Sequence, residues 1–470
     1  MAETLHCDVA IIGAGTAGLA AQSAVHAAGG KALLIDPYFA GTTCATVGCM
    51  PSKLLIAASH AAHGARTTDM FGVRVPTVTI DGKAVMQRVR DERDRFARLT
   101  RENIQDLPDD VRMQARARFI GANRLALDNG QEVEARSIVI ATGSSPFVPD
   151  AFADLGDRML TNENIFDLED LPNRLAVIGS GSIGLELAQA MARLGVDVTL
   201  FDAGNTLGSV RCARVHDALK DIITNDLTVH MGVDLEAERK DDGVSLRWTG
   251  DSSGQAAFDY VLVATGRPPN LDSLDLDKAG IALDDHGVPV HDRNSMQCGD
   301  SAIFIAGDVA SDLPLLHEAS QDGALAGRNA VAFPATMKSE RFASFGITFT
   351  SPPTVWVGIS EEEGVITGVA DFSNQGRSRV EGVNQGLLTL YAAAPDGRLI
   401  GADLCCPASE HLGHMLAWAV QQGQTATQLL EMPFYHPTIE EGLKSALRTI
   451  CGAVPLPLPE NQDRGSPPGA

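Results

Sequence analysis

Cys44 and Cys49 lie five positions apart in Gly41-Thr-Thr-Cys-Ala-Thr-Val-Gly-Cys-Met-Pro-Ser-Lys53, and their spacing suits reversible sulfur chemistry. A disulfide closing so short a loop adds little stability, roughly 2 kcal/mol. What short spacing gives is fast exchange, because each sulfur stays within reach of the other when the bond opens. Pro51 marks the start of a helix, whose unpaired N–H groups favour a thiolate over a thiol. A pair of reduced core cysteines is the plain alternative, and the sequence around the pair argues against it.

A second candidate for chemistry stands near the other end, in Phe434-Tyr435-His436-Pro437-Thr438-Ile439-Glu440-Glu441. Pro437 orients a turn and Glu441 falls one helical turn into the following element. From there its carboxylate reaches back to the imidazole of His436, fixing the tautomer and making the ring more basic. His436 is therefore the candidate base.

The elements that must position these groups begin at Val9, where an apolar strand runs into Gly13-x-Gly15-x-x-Gly18. An Ala-rich helix to about Ala28 and a second strand ending at Asp36 follow. The glycines let the backbone approach a pyrophosphate at the helix start, and the terminal acid accepts from a ribose. The unit recurs from Leu175 with Gly179, Gly181, Gly184 and Asp202, and in both copies 23 positions separate the first glycine from the acid. Gly29 and Gly195 also correspond. The chain is thus expected to bind two dinucleotides.

The cysteine pair follows the first copy, so the redox cofactor belongs there, with Asp308 of the strand-like run Ile303–Val309 receiving its sugar-like hydroxyls. The second copy would hold a nicotinamide nucleotide. Asp202 disfavours a 2′-phosphate by charge, and Ala203 to Gly208 contain no Arg or Lys, which favours NAD over NADP. Arg211 remains within reach as the alternative.

At 470 residues there is room for about three domains. Apolar content of 44% and charged content of 21% are those of a globular protein, and 46 glycines suit an α/β chain. The formal net charge of −23 disfavours nucleic acid and leaves two readings, steering of a basic partner and solubility alone. No apolar run approaches a membrane span. The N-terminus shows no signal-peptide pattern, and eight scattered cysteines fit a reducing cytoplasm.

Past about residue 342, strand-like runs at Gly346–Thr350, Thr354–Val357 and Leu387–Tyr391 lead into two helices. The helix of about Ala408–Gln422 is expected to bury Leu412, Met415, Leu416 and Ala419. That of about Ile439–Thr449 is expected to bury Leu443, Ala446, Leu447 and Ile450. A charged helix over Lys83–Asn103 carries a stripe of Val85, Val89, Phe96 and Leu99. Cys405 and Cys406 are adjacent on a strand end, point to opposite faces and read as packing. Cys7, Cys212, Cys298 and Cys451 have no partner pattern, and no metal site is expected. His411 and His414 flank an apolar face, and His317 has cofactor contact and a bland surface role as equal alternatives. Pro455–Ala470 reads as a loose tail.

These motifs together resemble the flavin-dependent pyridine nucleotide-disulfide oxidoreductases, and within them the dihydrolipoamide dehydrogenases, over about residues 5–450. The residues carrying the resemblance are Thr43-Cys44 to Cys49-Met-Pro-Ser-Lys53, the paired fingerprints and Ala141-Thr142-Gly143. Ala264-Thr265-Gly266-Arg267-x-Pro-Asn270, Gly307-Asp308 and His436-Pro-Thr-x-x-Glu441 complete the set. The resemblance implies an α/β fold of two Rossmann-like dinucleotide-binding domains plus a C-terminal α+β dimerisation domain. The expected divisions are 1–150 (FAD), 151–270 (NAD), 271–340 (FAD, second part), 341–455 (dimerisation) and 456–470 (tail).

It further implies FAD held by Gly13, Gly15, Gly18, Asp36, Thr43, Lys53, Ala141, Thr142, Gly143 and Asp308. NAD would be held by Gly179, Gly181, Gly184, Asp202 and Gly266. Cys49 becomes the charge-transfer thiolate beside the flavin and Cys44 the sulfur that exchanges with substrate. Lys53 and Glu186 match a pair near the reactive edge of the flavin. His436 serves the partner subunit of a homodimer, held by Glu441.

The activity so implied is oxidation of a dihydrolipoyl group with reduction of NAD. The partners are a lipoyl domain or carrier, or an acyltransferase core, with no nucleic acid or membrane. Reduction of another disulfide or a metal ion is the alternative, and a docked, mainly structural subunit a third reading. The departures are Ser182, where relatives often carry a larger residue beside the nicotinamide, aspartates in place of glutamates at 36 and 202, and Tyr435.

Overall fold

A computed structural model describes residues 4–208, 210–360 and 364–454. The tail expected over 455–470 lies outside the described residues. Alternating strands and helices with near-continuous apolar runs give parallel sheets covered on both faces. The first sheet has a parallel core in the order Arg112–Gln114, Ala32–Asp36, Thr4–Ile12, Glu132–Ile140 and Ile303–Ile305. Its central strand residues Val9, Ala10 and Ile11 are fully buried.

The second sheet repeats the arrangement. Its parallel order is Thr228–His230, Asp197–Phe201, Arg174–Ile178, Tyr260–Val263 and Met159–Leu160. The fifth strand comes from before this unit, whereas the fifth strand of the first sheet begins 163 positions after the end of its fourth, from Ile140 to Ile303. The sheet after it, Phe345–Thr348, Thr354–Gly358, Arg398–Cys405, Leu387–Ala393 and Ile366–Asp371, is antiparallel and packs under two long helices.

The first of these helices, Ser409–Gln421, buries Leu412, Leu416 and Ala419. Met415, expected in the same face, is 40% exposed; the buried stripe is centred one position away, on the small residues Gly413 and Ala417. The second, Leu443–Ala453, buries all four expected residues but begins later than expected, after a 3₁₀ turn over Glu440–Gly442. In the helix Gly82–Gln105 the buried residues are Gly82, Met86, Val89, Ala97 and Ile104, while Leu99 is exposed. The stripe runs further round the helix than its large apolar residues suggest, because the short Ala97 takes a place in it.

Cys405 and Cys406 are both fully buried, one packed with the core of the second sheet and the other with the core of the antiparallel sheet. Opposite faces of one strand end thus serve two cores. Among the described residues no helix is long and apolar enough to cross a membrane.

Candidate active site

The cysteine pair sits where a one-turn helix, Thr43–Thr46, meets a long one, Cys49–Arg66. The long helix starts at Cys49, two residues before Pro51, because Gly48 takes the capping position and Pro51 falls within the first turn, where a missing N–H costs nothing. Cys49 is therefore the first residue of an 18-residue helix. The two sulfurs are not bonded to each other and the pair is a dithiol.

The two thiols are unequal. A hydrogen bond from Cys44 brings the Cys49 thiol down to about 7 against the opposing effect of burial, with Lys53 helping. The same hydrogen bond, then burial, pushes Cys44 up. A thiol that donates to its neighbour keeps its proton, and the neighbour becomes the thiolate.

Lys53 lies one turn into the same helix. Its Nζ is 2.7 Å from Glu186 Oε2 and 4.2 Å from the centre of the Phe349 ring. Glu186 is buried, and its other oxygen accepts from Phe349 N at 2.8 Å. Ser182, one turn earlier on the same helix (Ser182–Arg193), shares a 2.7 Å hydrogen bond with Thr348 Oγ1. Gln189 Oε1 accepts from Ser351 N at 2.8 Å, and Arg193 Nη2 donates to Ser351 O. A polar stripe of this helix is thus tied along residues 348–351, and no feature of the sequence near residue 182 pointed to those partners.

His436 Nδ1 is 2.9 Å from Glu441 Oε2, which also accepts from Thr438 N at 3.2 Å. Burial pushes the Glu441 carboxyl up, but the Thr438 N–H, His436 and Lys444 outweigh it and hold the group below its ordinary value. The His436 side chain is 62% exposed and Tyr435 beside it 83% exposed. Among the described residues His436 makes no hydrogen bond to Cys44 or Cys49 within the chain.

Both phosphate loops have the shape a dinucleotide requires. A Cβ on Gly13 would lie 2.3 Å from Ala141 O, and one on Gly179 would lie 2.4 Å from Ala264 O. Cβ atoms on Gly18 and Gly184 would each fall 1.9 Å from the carbonyl of the first glycine of their own loop. Gly15 and Gly181 face open space and cap their helices without side chains, leaving backbone N–H groups turned outward.

The acids fold back onto these loops. Asp36 accepts from Ala14 N, Tyr38 N and Phe39 N. Asp202 accepts from Ser180 N, Ser180 Oγ and Gly204 N. Thr43 opens the one-turn helix, and its carbonyl accepts from Val47 N. Thr142 Oγ1 donates to Asn270 O, and Asn270 N donates to Gly143 O. Gly266 follows Thr265, whose hydroxyl donates to Phe147 O.

Asp308 begins a 3₁₀ turn and accepts from Ser144 Oγ at 2.9 Å. The turn is held from behind by a buried ionic cluster. Asp322 accepts from Gly307 N and pairs with Arg341, which also pairs with Glu318. His317 stacks on Phe345 at 5.2 Å, and burial lowers its pKa.

Arg211 has its guanidinium committed elsewhere. It donates to Gly358 O at 2.8 Å and Val357 O at 3.4 Å, faces Asp403 at 3.5 Å and stacks over Trp356.

Residues 7–323 match the family model for pyridine nucleotide-disulphide oxidoreductase, and residues 344–447 match that family's dimerisation domain. The chain is 28% identical to a dihydrolipoyl dehydrogenase of Geobacillus stearothermophilus, covering 95% of this chain and 97% of the relative. It is 31% identical to a mercuric reductase of Streptomyces lividans, covering 95% and 97%. The HOCl-induced flavoprotein disulfide reductase RclA from Escherichia coli has the same fold, with a TM-score of 0.79 at 23% identity over 94% of this chain and 99% of that one.

Proposed function

The chain belongs to the pyridine nucleotide-disulphide oxidoreductases, whose cofactors are FAD and NAD(P), and from that premise we propose that it oxidises a dihydrolipoyl group and reduces NAD. The observation that carries the reading is the asymmetry of the cysteine pair, with Cys49 favoured as thiolate and Cys44 as thiol.

In the oxidised enzyme the Cys44–Cys49 disulfide receives the substrate. His436 of the partner subunit takes the proton of the first substrate thiol, and Glu441 of that same subunit keeps its ring in one tautomer. The substrate thiolate attacks Cys44 Sγ, and the bond to Cys49 breaks with its electron pair left on Cys49. The second substrate thiol attacks the substrate sulfur of the mixed disulfide, and its proton passes to Cys44 Sγ as that sulfur leaves. The substrate leaves as a disulfide, and both electrons remain on the enzyme's dithiol. Gly13, Gly15, Gly18, Asp36 and Asp308, with Thr43, Lys53 and Ala141–Gly143, would hold FAD, which would supply a two-electron acceptor between the dithiol and the nicotinamide. Lys53 and Glu186 hold each other between the two nucleotide folds, and Glu186 is kept buried by the Phe349 N–H.

Two observations favour NAD over NADP. Asp202 places a carboxylate beside its loop, and Arg211 is spent on Gly358, Val357 and Asp403. Gly179, Gly181, Gly184 and Gly266 complete the nucleotide site. The match to the dimerisation domain supports a homodimer. We place the enzyme in the cytoplasm, serving a lipoyl domain or carrier, or an acyltransferase core.

Similarity to a mercuric reductase favours a second reading, reduction of a metal ion or another disulfide by the same dithiol. Steady-state rates with lipoamide or glutathione disulfide, each with NADH or NADPH, and with mercuric ion and NADPH, test the assignment. Turnover with lipoamide and NADH at least tenfold above the other pairs is expected. Preference for glutathione disulfide or mercuric ion with NADPH overturns it.

A further inference from the structure

One buried side chain ties the cysteine loop to the rest of the site. Asn162 lies in the short connection after the strand Met159–Leu160 and is 7% exposed. Its Nδ2 donates to Val47 O at 2.9 Å, and its Oδ1 accepts from Arg267 Nη1 at 2.9 Å. This orientation is the only one that works, because a guanidinium only donates and a carbonyl only accepts. Val47 is the residue that ends the one-turn helix bearing Cys44, and Gly48 after it caps the helix that opens with Cys49.

Arg267 carries the connection onward. Its Nη2 donates to Ser144 O at 2.6 Å and its Nε to Ser144 Oγ at 3.2 Å. Ser144 Oγ in turn donates to Asp308 at 2.9 Å. A continuous chain of side-chain hydrogen bonds therefore runs from Asp308, through Ser144, Arg267 and Asn162, to the loop between the two cysteines.

We propose that Asn162 is a positioning residue for the dithiol, fixing Val47 so that Cys44 Sγ stays in place to donate to Cys49. Within the one-turn helix Val47 N donates to Thr43 O and Thr46 Oγ1 to Thr42 O, and Asn162 is the side chain that ties its end to the rest of the site. At its start Thr42 accepts from Ala45 N at 3.4 Å, and at its end the Val47 carbonyl meets Asn162. A thiol hydrogen bond is weak and sensitive to sulfur placement, so slack at Val47 weakens it and costs Cys49 its thiolate preference. The ionisable groups facing Cys49 are Cys44 from the short helix, Lys53 from its own helix and Glu186 from the helix across the domain boundary. The hydrogen bonds of Asn162 go to Val47 and Arg267 and not to these groups, so it acts through the backbone at Val47. The inference rests on the dithiol reading of the pair and is independent of which substrate it serves.

The test is the pH at which two-electron-reduced flavoprotein develops half of its long-wavelength charge-transfer absorbance, which reports the Cys49 thiolate without substrate. Asn162→Asp keeps the acceptor toward Arg267 and loses the donor toward Val47; Asn162→Ala loses both. Each should raise the midpoint by about one pH unit, a tenfold loss in the thiolate ionisation constant. Asn164→Ala perturbs the same segment, where Asn164 accepts from Thr161 N, and should leave the midpoint unchanged. If Asn162→Ala does not bind flavin, Asn162→Leu, which keeps the volume, loses the donor and adds no charge near Cys49, decides alone. A wild-type midpoint in a flavin-bearing Asn162 variant, or an equal shift in Asn164→Ala, overturns the proposal. A failed lipoamide assay with shifted Asn162 midpoints refutes the substrate and leaves this inference standing.

Discussion

Residues 13–18 and residues 179–184 build one loop twice, yet the helices that follow are covered in opposite ways. The helix Thr16–Ala27 lies against the helix Leu316–Ala332 with almost nothing between the backbones. A Cβ on Gly323 would fall 2.1 Å from Ala17 O, and one on Gly327 would fall 2.4 Å from Ala21 O. The helix Ser182–Arg193 instead presents Ser182, Glu186, Gln189 and Arg193 to residues 348–351 and is held by hydrogen bonds. The phosphate loop is a local device, set by three glycines wherever they occur. The cover decides what the nucleotide is connected to: a rigid neighbour of its own sheet in the first copy, the dimerisation domain in the second.

The largest expected effect tests whether sulfur chemistry belongs to the first copy alone. Cys44→Ser and Cys49→Ser should each lower dithiol-dependent reduction of NAD by at least about a thousandfold, as removal of a nucleophile does. Flavin and NAD should still bind both variants, measured by absorbance and by titration of NADH fluorescence. Activity within tenfold of wild type would mean that electrons bypass the pair.

Next in size is the separation of the two loops. Gly18→Ala and Gly184→Ala introduce the same 1.9 Å clash with the same carbonyl of their own loop. Gly18→Ala should give a protein that purifies colourless. Gly184→Ala should purify yellow and bind NADH about 100-fold more weakly, a loss of roughly 3 kcal/mol. Should Gly184→Ala lose flavin as readily as Gly18→Ala, the copies are not independent cradles.

These loops were legible because glycine spacing is a local record of backbone approach. The cysteine pair and the His436–Glu441 pair were legible for a related reason, since each is a short arrangement of reactive types, whereas Lys53 and Glu186, 133 positions apart, were legible only through the family resemblance. The polar stripe on Ser182–Arg193 was not. Its first partner lies 166 residues along the chain, and Ser182 looked like a missing bulky residue where the structure has a hydroxyl bonded to Thr348. Asn162 escaped for the same reason. An amide in a turn is ordinary, and only its two distant partners, Val47 and Arg267, distinguish it. The aspartates at 36 and 202 were expected as ribose acceptors; what the sequence did not show is that one oxygen of each also accepts from its own glycine loop, from Ala14 N and from Ser180 N.

The contrast between covers predicts a smaller difference in stability. Gly323→Ala forces two helix backbones apart and should cost about 2–3 kcal/mol. Gln189→Ala removes the three hydrogen bonds of a buried amide and should cost about 1–2 kcal/mol. Thermal unfolding followed by flavin fluorescence should therefore put Gly323→Ala below Gln189→Ala. The reverse order would mean that the domain boundary, and not the first nucleotide fold, limits stability.

The smallest effect lies in the dimerisation domain and depends on pH. Glu441 is held as a carboxylate by Thr438, His436 and Lys444, so its folded pKa is lower than its unfolded one. A depressed carboxyl contributes stability that is present in full above the unfolded value, about 4.3, and is lost as pH falls through the folded value. One proton is involved, so the slope cannot exceed about 1.4 kcal/mol per pH unit. Glu441→Gln should therefore flatten the fall of melting temperature between pH 5 and pH 3 without steepening the alkaline limb. An acid limb identical to wild type would show that the charge on Glu441 does not stabilise the fold. The hydrogen bond to His436, retained in part by Gln through its amide oxygen, would then be what holds the ring.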